Sequence, residues 1–119
     1  MVNQHDIKTK TILVSNAATD LGLGVVPNGM KRWVTFIRFS SHDGVSTPYF
    51  MLGSGITATD ISTTNMKFRA IEDVPHYNYD NCPKTPDPDH PLFSIAAGKY
   101  LTAYDYNGTS AIFIQYYDE

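Results

Sequence analysis

Apolar and polar residues alternate along this chain in short runs broken by turn residues, the two-residue period of a half-buried β-strand. The clearest case is Lys99 to Glu119, KYLTAYDY-NG-TSAIFIQYYDE, where two alternating runs flank Asn107-Gly108. A type I′ turn needs positive φ at both central residues, and Asn-Gly tolerates that best, so the pattern predicts a β-hairpin. In that hairpin Tyr106 faces Thr109, Tyr104 faces Ala111, Thr102 faces Phe113 and Tyr100 faces Gln115. On its other side Ala103 faces Ile112 and Leu101 faces Ile114. The aliphatic side is set for a core, and the side carrying Tyr100, Tyr104, Tyr106 and Phe113 is left for another use.

The same period places the remaining elements. Residues 1–8 are polar and read as an arm that is flexible or donates a strand. The domain proper runs from 9 to 119. Thr9 to Ser15 is a strand with Ile12 and Val14 on one face. Asn16 to Asp20 is turn material, and Leu21 to Val26 a short strand weakened by Gly22 and Gly24. After the Pro27-Asn28-Gly29 turn, Lys31 to Ser40 is the strongest single strand. Its Trp33, Thr35, Ile37 and Phe39 are expected in the core, because the opposite set, Arg32, Val34, Phe36 and Arg38, carries two arginines. Tyr49 to Leu52, Met66 to Val74 and Leu92 to Ile95 are further strands. Ile56 to Asn65 is a loop, an edge strand or the start of a short helix. Pro75 to Pro91 has five prolines in seventeen residues, which forbids regular pairing there. A loop of that length is usually functional or lies against a neighbour. Two strands share a lead-in: Val26-Pro27-Asn28-Gly29-Met30 and Ile95-Ala96-Ala97-Gly98-Lys99 each run from an apolar residue through two turn residues to a glycine. No long amphipathic helix is present. The expectation is an all-β, single antiparallel β-sandwich, jelly-roll-like or Ig-like, with little or no helix.

Composition narrows the function classes. At 119 residues the chain is one domain, large enough for a core without metal or disulfide support. Charged residues are 18% against roughly 25% in an ordinary soluble domain, and eight Tyr and six Phe are present. A charge-poor, Tyr-rich surface suits contact with another protein. The net charge of −3 and the absence of a basic stripe argue against nucleic acid. No run approaches the roughly 20 apolar residues of a membrane helix, and MVNQHDIKTK lacks the apolar core of a signal peptide, so synthesis and folding in the cytoplasm are expected.

The candidate chemistry is sparse. Cys82 is the single cysteine, so no disulfide forms within the chain, and its neighbours Asn81 and Pro83 do nothing to lower its pKa. Gly53-Ser54-Gly55 is a flexible break and not a nucleophile elbow. His5, His42, His76 and His90 show no His-x-His spacing, and Asp80, Asp87 and Asp89 lack the EF-hand pattern, so carboxylates solvated in a Pro-rich loop outweigh calcium. The expectation is a protein without enzymatic activity, metal or cofactor. The aromatics Tyr100, Tyr104, Tyr106 and Phe113 remain open to three uses: a second core face, a subunit interface, or a platform on which sugars stack.

VPNGMKRWVTFIRFS followed by IAAGKYLTAYDYNGTSAIFIQYYDE resembles small structural proteins of tailed-phage and related virus particles. The matching positions are Pro27, Gly29, Lys31, Val34 and Ile37, then Gly98, Leu101, Ala103, Ile112, Ile114 and Tyr116; together the two phrases cover about forty residues. The resemblance implies a capsid decoration, cement or tail-associated protein of the virion, assembled in the host cytoplasm. It also implies a homotrimer or other cyclic oligomer bound to a major capsid or tail protein. In that case Tyr100, Tyr104, Tyr106 and Phe113, with Tyr77 and Tyr79 of the Pro-rich loop, carry the contacts. The alternative is a carbohydrate-binding module in which Tyr77, Tyr79, Tyr104 and Tyr106 stack on sugar rings.

Overall fold

The computed structural model describes residues 6–15, 18–41, 49–71, 87–106 and 109–119. Every regular element among them is a strand. In chain order they are β1 (Lys8–Ser15), β2 (Ala18–Asp20), β3 (Arg32–Ser41), β4 (Tyr49–Gly55), β5 (Met66–Ile71), β6 (Phe93–Ile95), β7 (Tyr100–Tyr106) and β8 (Thr109–Asp118). They form two four-stranded antiparallel sheets, β1-β8-β3-β6 and β2-β7-β4-β5. The all-β sandwich expected from the alternation is the fold observed.

The order has a simple logic. The first strand pairs with the last, the second with the seventh, the third with the sixth and the fourth with the fifth. That is one long two-stranded ribbon, doubled back between β4 and β5. Rolling the ribbon brings β8 against β3 and β7 against β4. Consecutive strands therefore lie in opposite sheets everywhere except at β4 and β5, the winding of a jelly roll and not of an Ig domain.

Asn107-Gly108 lies outside the described residues, and β7 and β8 on either side of it do not pair as the expected hairpin. β7 lies between β2 and β4, whereas β8 lies between β1 and β3 in the other sheet. The expected cross-strand pairs are replaced: Phe113 faces Thr11 and Arg38, Ile114 faces Lys10 and Ile37, and Tyr104 faces Ala18 and Met51. The register gives the reason. Ser15 is opposite Thr109 in one sheet and Ala18 is opposite Tyr104 in the other, so β8 follows β1 and β7 follows β2 into different sheets.

A second correction concerns β3. Val34 is opposite Tyr116 but Phe36 is opposite Gln115, so Thr35 is an extra residue, a β-bulge. The bulge reverses the phase of the strand. Before it Arg32 and Val34 point inward, and after it Ile37 does. Arg32, Val34 and Ile37 are 2%, 0% and 0% exposed, while Trp33 is half-buried on the outer face. The Thr35 hydroxyl donates to the Gln115 carbonyl at 3.3 Å, so the bulge leaves that side chain bonded. The short strand expected at Leu21 to Val26 is also absent. Gly22 and Gly24 adopt φ of 72° and 76°, outside the strand region, and the pairing segment is Ala18–Asp20 instead.

Between the sheets lie Ile112 and Ile114 of β8, Leu101 and Ala103 of β7, Phe50 and Leu52 of β4, and Val14 of β1. Removing an aliphatic side chain of this kind from water stabilises the fold by roughly 1.5–3 kcal/mol. The twin lead-ins lie side by side. Met30 N–H donates to Pro27 O at 3.2 Å and Lys99 N–H to Ala96 O at 3.2 Å, closing two four-residue turns. Gly29 and Gly98 each occupy the third turn position at φ 79°, as a type II turn requires. Val26 joins the two turns: its N–H donates to Lys99 O at 2.9 Å, and its carbonyl accepts from Gly98 N–H at 3.0 Å.

Candidate functional site

The aromatics expected on one face fall on opposite sides of the sandwich, because β7 and β8 belong to different sheets. Tyr100 and Tyr104 lie on the outer face of the β2-β7-β4-β5 sheet, both half-buried. Tyr104 sits in register between Ala18 and Met51, and Met51 in turn faces Arg69. Met51 points outward, between the inward Phe50 and Leu52, yet is only 5% exposed. Tyr106 is in register with Tyr49. Tyr77 and Tyr79 lie outside the described residues, as do His5, His42, His76, Asp80 and Cys82.

The other end of that face is covered by the segment between β4 and β5. Asp60 and Asn65 fold it. The Asp60 carboxylate accepts from Ile56 N–H at 3.0 Å, the Asn65 side-chain amide donates to Asp60 O at 3.0 Å, and Asn65 Oδ1 accepts from Ser62 N–H at 2.7 Å. Ser54 N–H donates to Asn65 O at 3.0 Å and ties the loop to the sheet. Gly55 lets it settle: a Cβ there would overlap the Asp60 carbonyl and come within 2.9 Å of Thr102 Cγ2. Thr102 is 0% exposed, and its hydroxyl has no hydrogen-bond partner among the described residues.

On the outer face of the β1-β8-β3-β6 sheet, Phe113 meets Phe36 edge to face, with ring centroids 6.1 Å apart and planes at 69°. Trp33 and Tyr117 face each other across β3 and β8. The Lys31 ammonium stands 5.6 Å from the Trp33 ring centroid. Leu13 of β1 is 57% exposed on the same face. Tyr117 is covered by the segment before β6, with its hydroxyl 3.5 Å from Pro88 O. Its pKa is raised from the ordinary 10.0, first by burial, then by the negative charges of Glu119 and Asp89.

The described end of the acidic loop, from Asp87 to His90, is closed on itself. Asp87 accepts from Asp89 N–H at 3.2 Å through its carboxylate, from His90 N–H at 3.1 Å through its carbonyl, and its second carboxylate oxygen lies 2.7 Å from His90 Nδ1. Both side chains are exposed. Among the described residues no three His, Cys, Asp or Glu side chains stand together so as to hold a metal ion.

One polar constellation was not anticipated from the sequence. Arg32 makes a two-pronged pair with Asp118, Nε to Oδ1 at 2.8 Å and Nη2 to Oδ2 at 2.9 Å, and donates from Nη1 to Gly24 O at 3.0 Å. Its guanidinium lies 5.1 Å from the Tyr116 ring centroid. The reciprocal bonds between Lys31 and Glu119, 3.0 and 2.9 Å, extend the ladder past it. Strict alternation placed Arg32 outside; only the bulge at Thr35 brings it in. This pair is a structural latch on the end of β8, with Nε, Nη1 and Nη2 each donating one bond. No protein family, curated protein or solved structure matches the chain.

Proposed function

We propose that the protein is a non-enzymatic structural component of a virus particle, of the capsid decoration, cement or tail-associated kind, which self-associates and docks on a larger assembly. The observation that carries the reading is a jelly roll with half-buried aromatic side chains on both outer faces: Tyr100 and Tyr104 on one, Trp33 and Phe113 on the other. The winding is one used by capsid and lectin domains, which supports the reading by analogy of architecture. Tyrosine at a contact contributes a large area at small entropic cost. The partner is a major capsid or tail protein, met during assembly in the host cytoplasm.

Co-sedimentation with purified capsids or tails tests the proposal. Tyr104→Ala is expected to weaken particle binding by about tenfold or more while the chain stays folded. A chain that stays in the supernatant while every particle tested is pelleted would remove the reading. The outward position of Trp33 favours a second one, a carbohydrate-binding module with an indole on the opposite face from Tyr104. As the single tryptophan, Trp33 reports directly: saturable fluorescence quenching by a glycan on a chain that ignores particles selects this alternative.

A further inference from the structure

We propose that two copies of this chain pair edge to edge through β1, antiparallel about a twofold axis at Ile12, joining their β1-β8-β3-β6 sheets into one. The inference rests on the self-association in the reading above, not on particle docking.

Four strands stand at sheet edges: β1 and β6 in one sheet, β2 and β5 in the other. A strand edge presents unpaired backbone N–H and C=O groups, which a second strand can satisfy. β2 and β6 are three residues each, too short to hold a partner. β5 has six residues and carries exposed Lys67 and Arg69 on one face. Pairing β5 with its own copy through its middle sets these cations opposite each other. β1 has eight residues, the longest free edge among the described residues.

Its sequence favours one twofold pairing over the others. Opposed residues must share the same hydrogen-bonding side, so each allowed twofold register places one residue of β1 opposite its own copy. Centring on Lys8 or Lys10 sets lysine against its own copy, and centring on Thr9 sets Lys8 against Lys10. Centring on Ile12 instead sets Lys10 against Val14, Thr9 against Ser15 and Thr11 against Leu13, with no like charges opposed. It separates the lysines of the two copies more than centring on Thr11 does, and it pairs residues 9–15 of β1 where centring on Leu13 would pair only 11–15. Leu13, 57% exposed in the single chain, gains Thr11 of the second copy beside it. The contact is the same patch used twice, so it closes at two copies, whereas joining β1 to β5 would leave free edges and propagate. A dimer, not the trimer implied by the resemblance to virion proteins, is the result.

Thr11 and Leu13 are both exposed on the outer face, so charges can be placed there without entering the core. The test measures the mass of the full chain by light scattering, with no particle present. The wild type is expected at twice 13.3 kDa. The Thr11→Lys/Leu13→Lys and Thr11→Glu/Leu13→Glu variants are each expected at the single-chain mass, because like charges then face each other at both crossings. Mixing the two variants is expected to restore the doubled mass. A wild type of single-chain or threefold mass overturns the proposal, as does a doubled mass that survives in both charged variants. Particle co-sedimentation is read separately: a single-chain variant that still docks leaves the virion reading standing, while a dimer that docks on nothing leaves the pairing standing.

Discussion

β3 and β7 begin alike and diverge at one buried position. Each follows a turn with glycine at φ 79°, each is preceded by a buried aliphatic, Val26 or Ile95, and each carries a fully buried residue further on, Val34 or Ala103. Between these, β7 has Leu101 and β3 has Arg32, 3% and 2% exposed. The backbone is repeated, and the chemistry at the equivalent position is not. An arginine survives there only because its donors reach Asp118 and Gly24 O and its plane lies against Tyr116. The difference teaches that a shared lead-in fixes where the side chain goes, while the neighbours decide what can occupy it.

Removing Arg32 should break the comparison hardest. Arg32→Ala leaves Asp118 largely buried without its partner and is expected to cost about 3–5 kcal/mol in urea unfolding. Leu101→Ala costs about 2–5 kcal/mol through the cavity it leaves. The two are distinguished by a double variant. Arg32→Leu with Asp118→Leu should retain most of the stability that Arg32→Ala loses, since an apolar pair needs no partner. An Arg32→Ala protein as stable as the wild type would show that the pair is incidental.

The turns supply a milder test. Gly29→Ala and Gly98→Ala should each cost about 1–2 kcal/mol, the penalty of a side chain in the left-handed region. A Cβ at either position meets nothing within 4 Å, so the loss is conformational and not steric. Asn at either site should recover part of it, because its side chain tolerates positive φ. Thermal unfolding of the two alanine variants should give closely matched shifts. A clear inequality would mean that the two turns are not equivalent in energy despite equal φ.

The sequence made the sandwich legible because alternation survives any choice of partner. Leu101, Ala103, Ile112 and Ile114 were expected inside, and all four are buried. What alternation does not carry is where the chain changes sheet. Asn-Gly between two alternating runs satisfies a reversal and a corner equally well; only pairing with β1–β2 and β3–β4 decides between them. That one difference sends Phe113 to the opposite side of the molecule from Tyr100 and Tyr104. A bulge is hidden for a related reason: Thr35 is an ordinary strand residue, and one extra position inverts everything before it, so Trp33 and Arg32 exchange sides. The paired lead-ins were visible as a repeated pattern, and their hydrogen bonds through Val26 give that repetition a physical basis.

The outer neighbours of Arg32 and Leu101 yield the smallest predicted effect. Trp33 faces Tyr117 across the sheet, whereas Thr102 lies between Gly53 and Asp20, so the phenol at this level belongs to the β3 side. Burial of Tyr117, reinforced by Glu119 and Asp89, favours the neutral phenol and raises its pKa above 10.0. The folded chain therefore holds this proton more tightly than the unfolded chain does. The resulting stabilisation is complete below the ordinary tyrosine range and is lost as pH rises through the folded-state pKa. Urea midpoints followed from about pH 8 to about pH 11 should fall more steeply for the wild type than for Tyr117→Phe. Subtracting one curve from the other removes the other tyrosines and lysines that titrate in this interval. Parallel curves would mean that the phenol is open to water in both states, and that the segment at Pro88 does not cover it in solution.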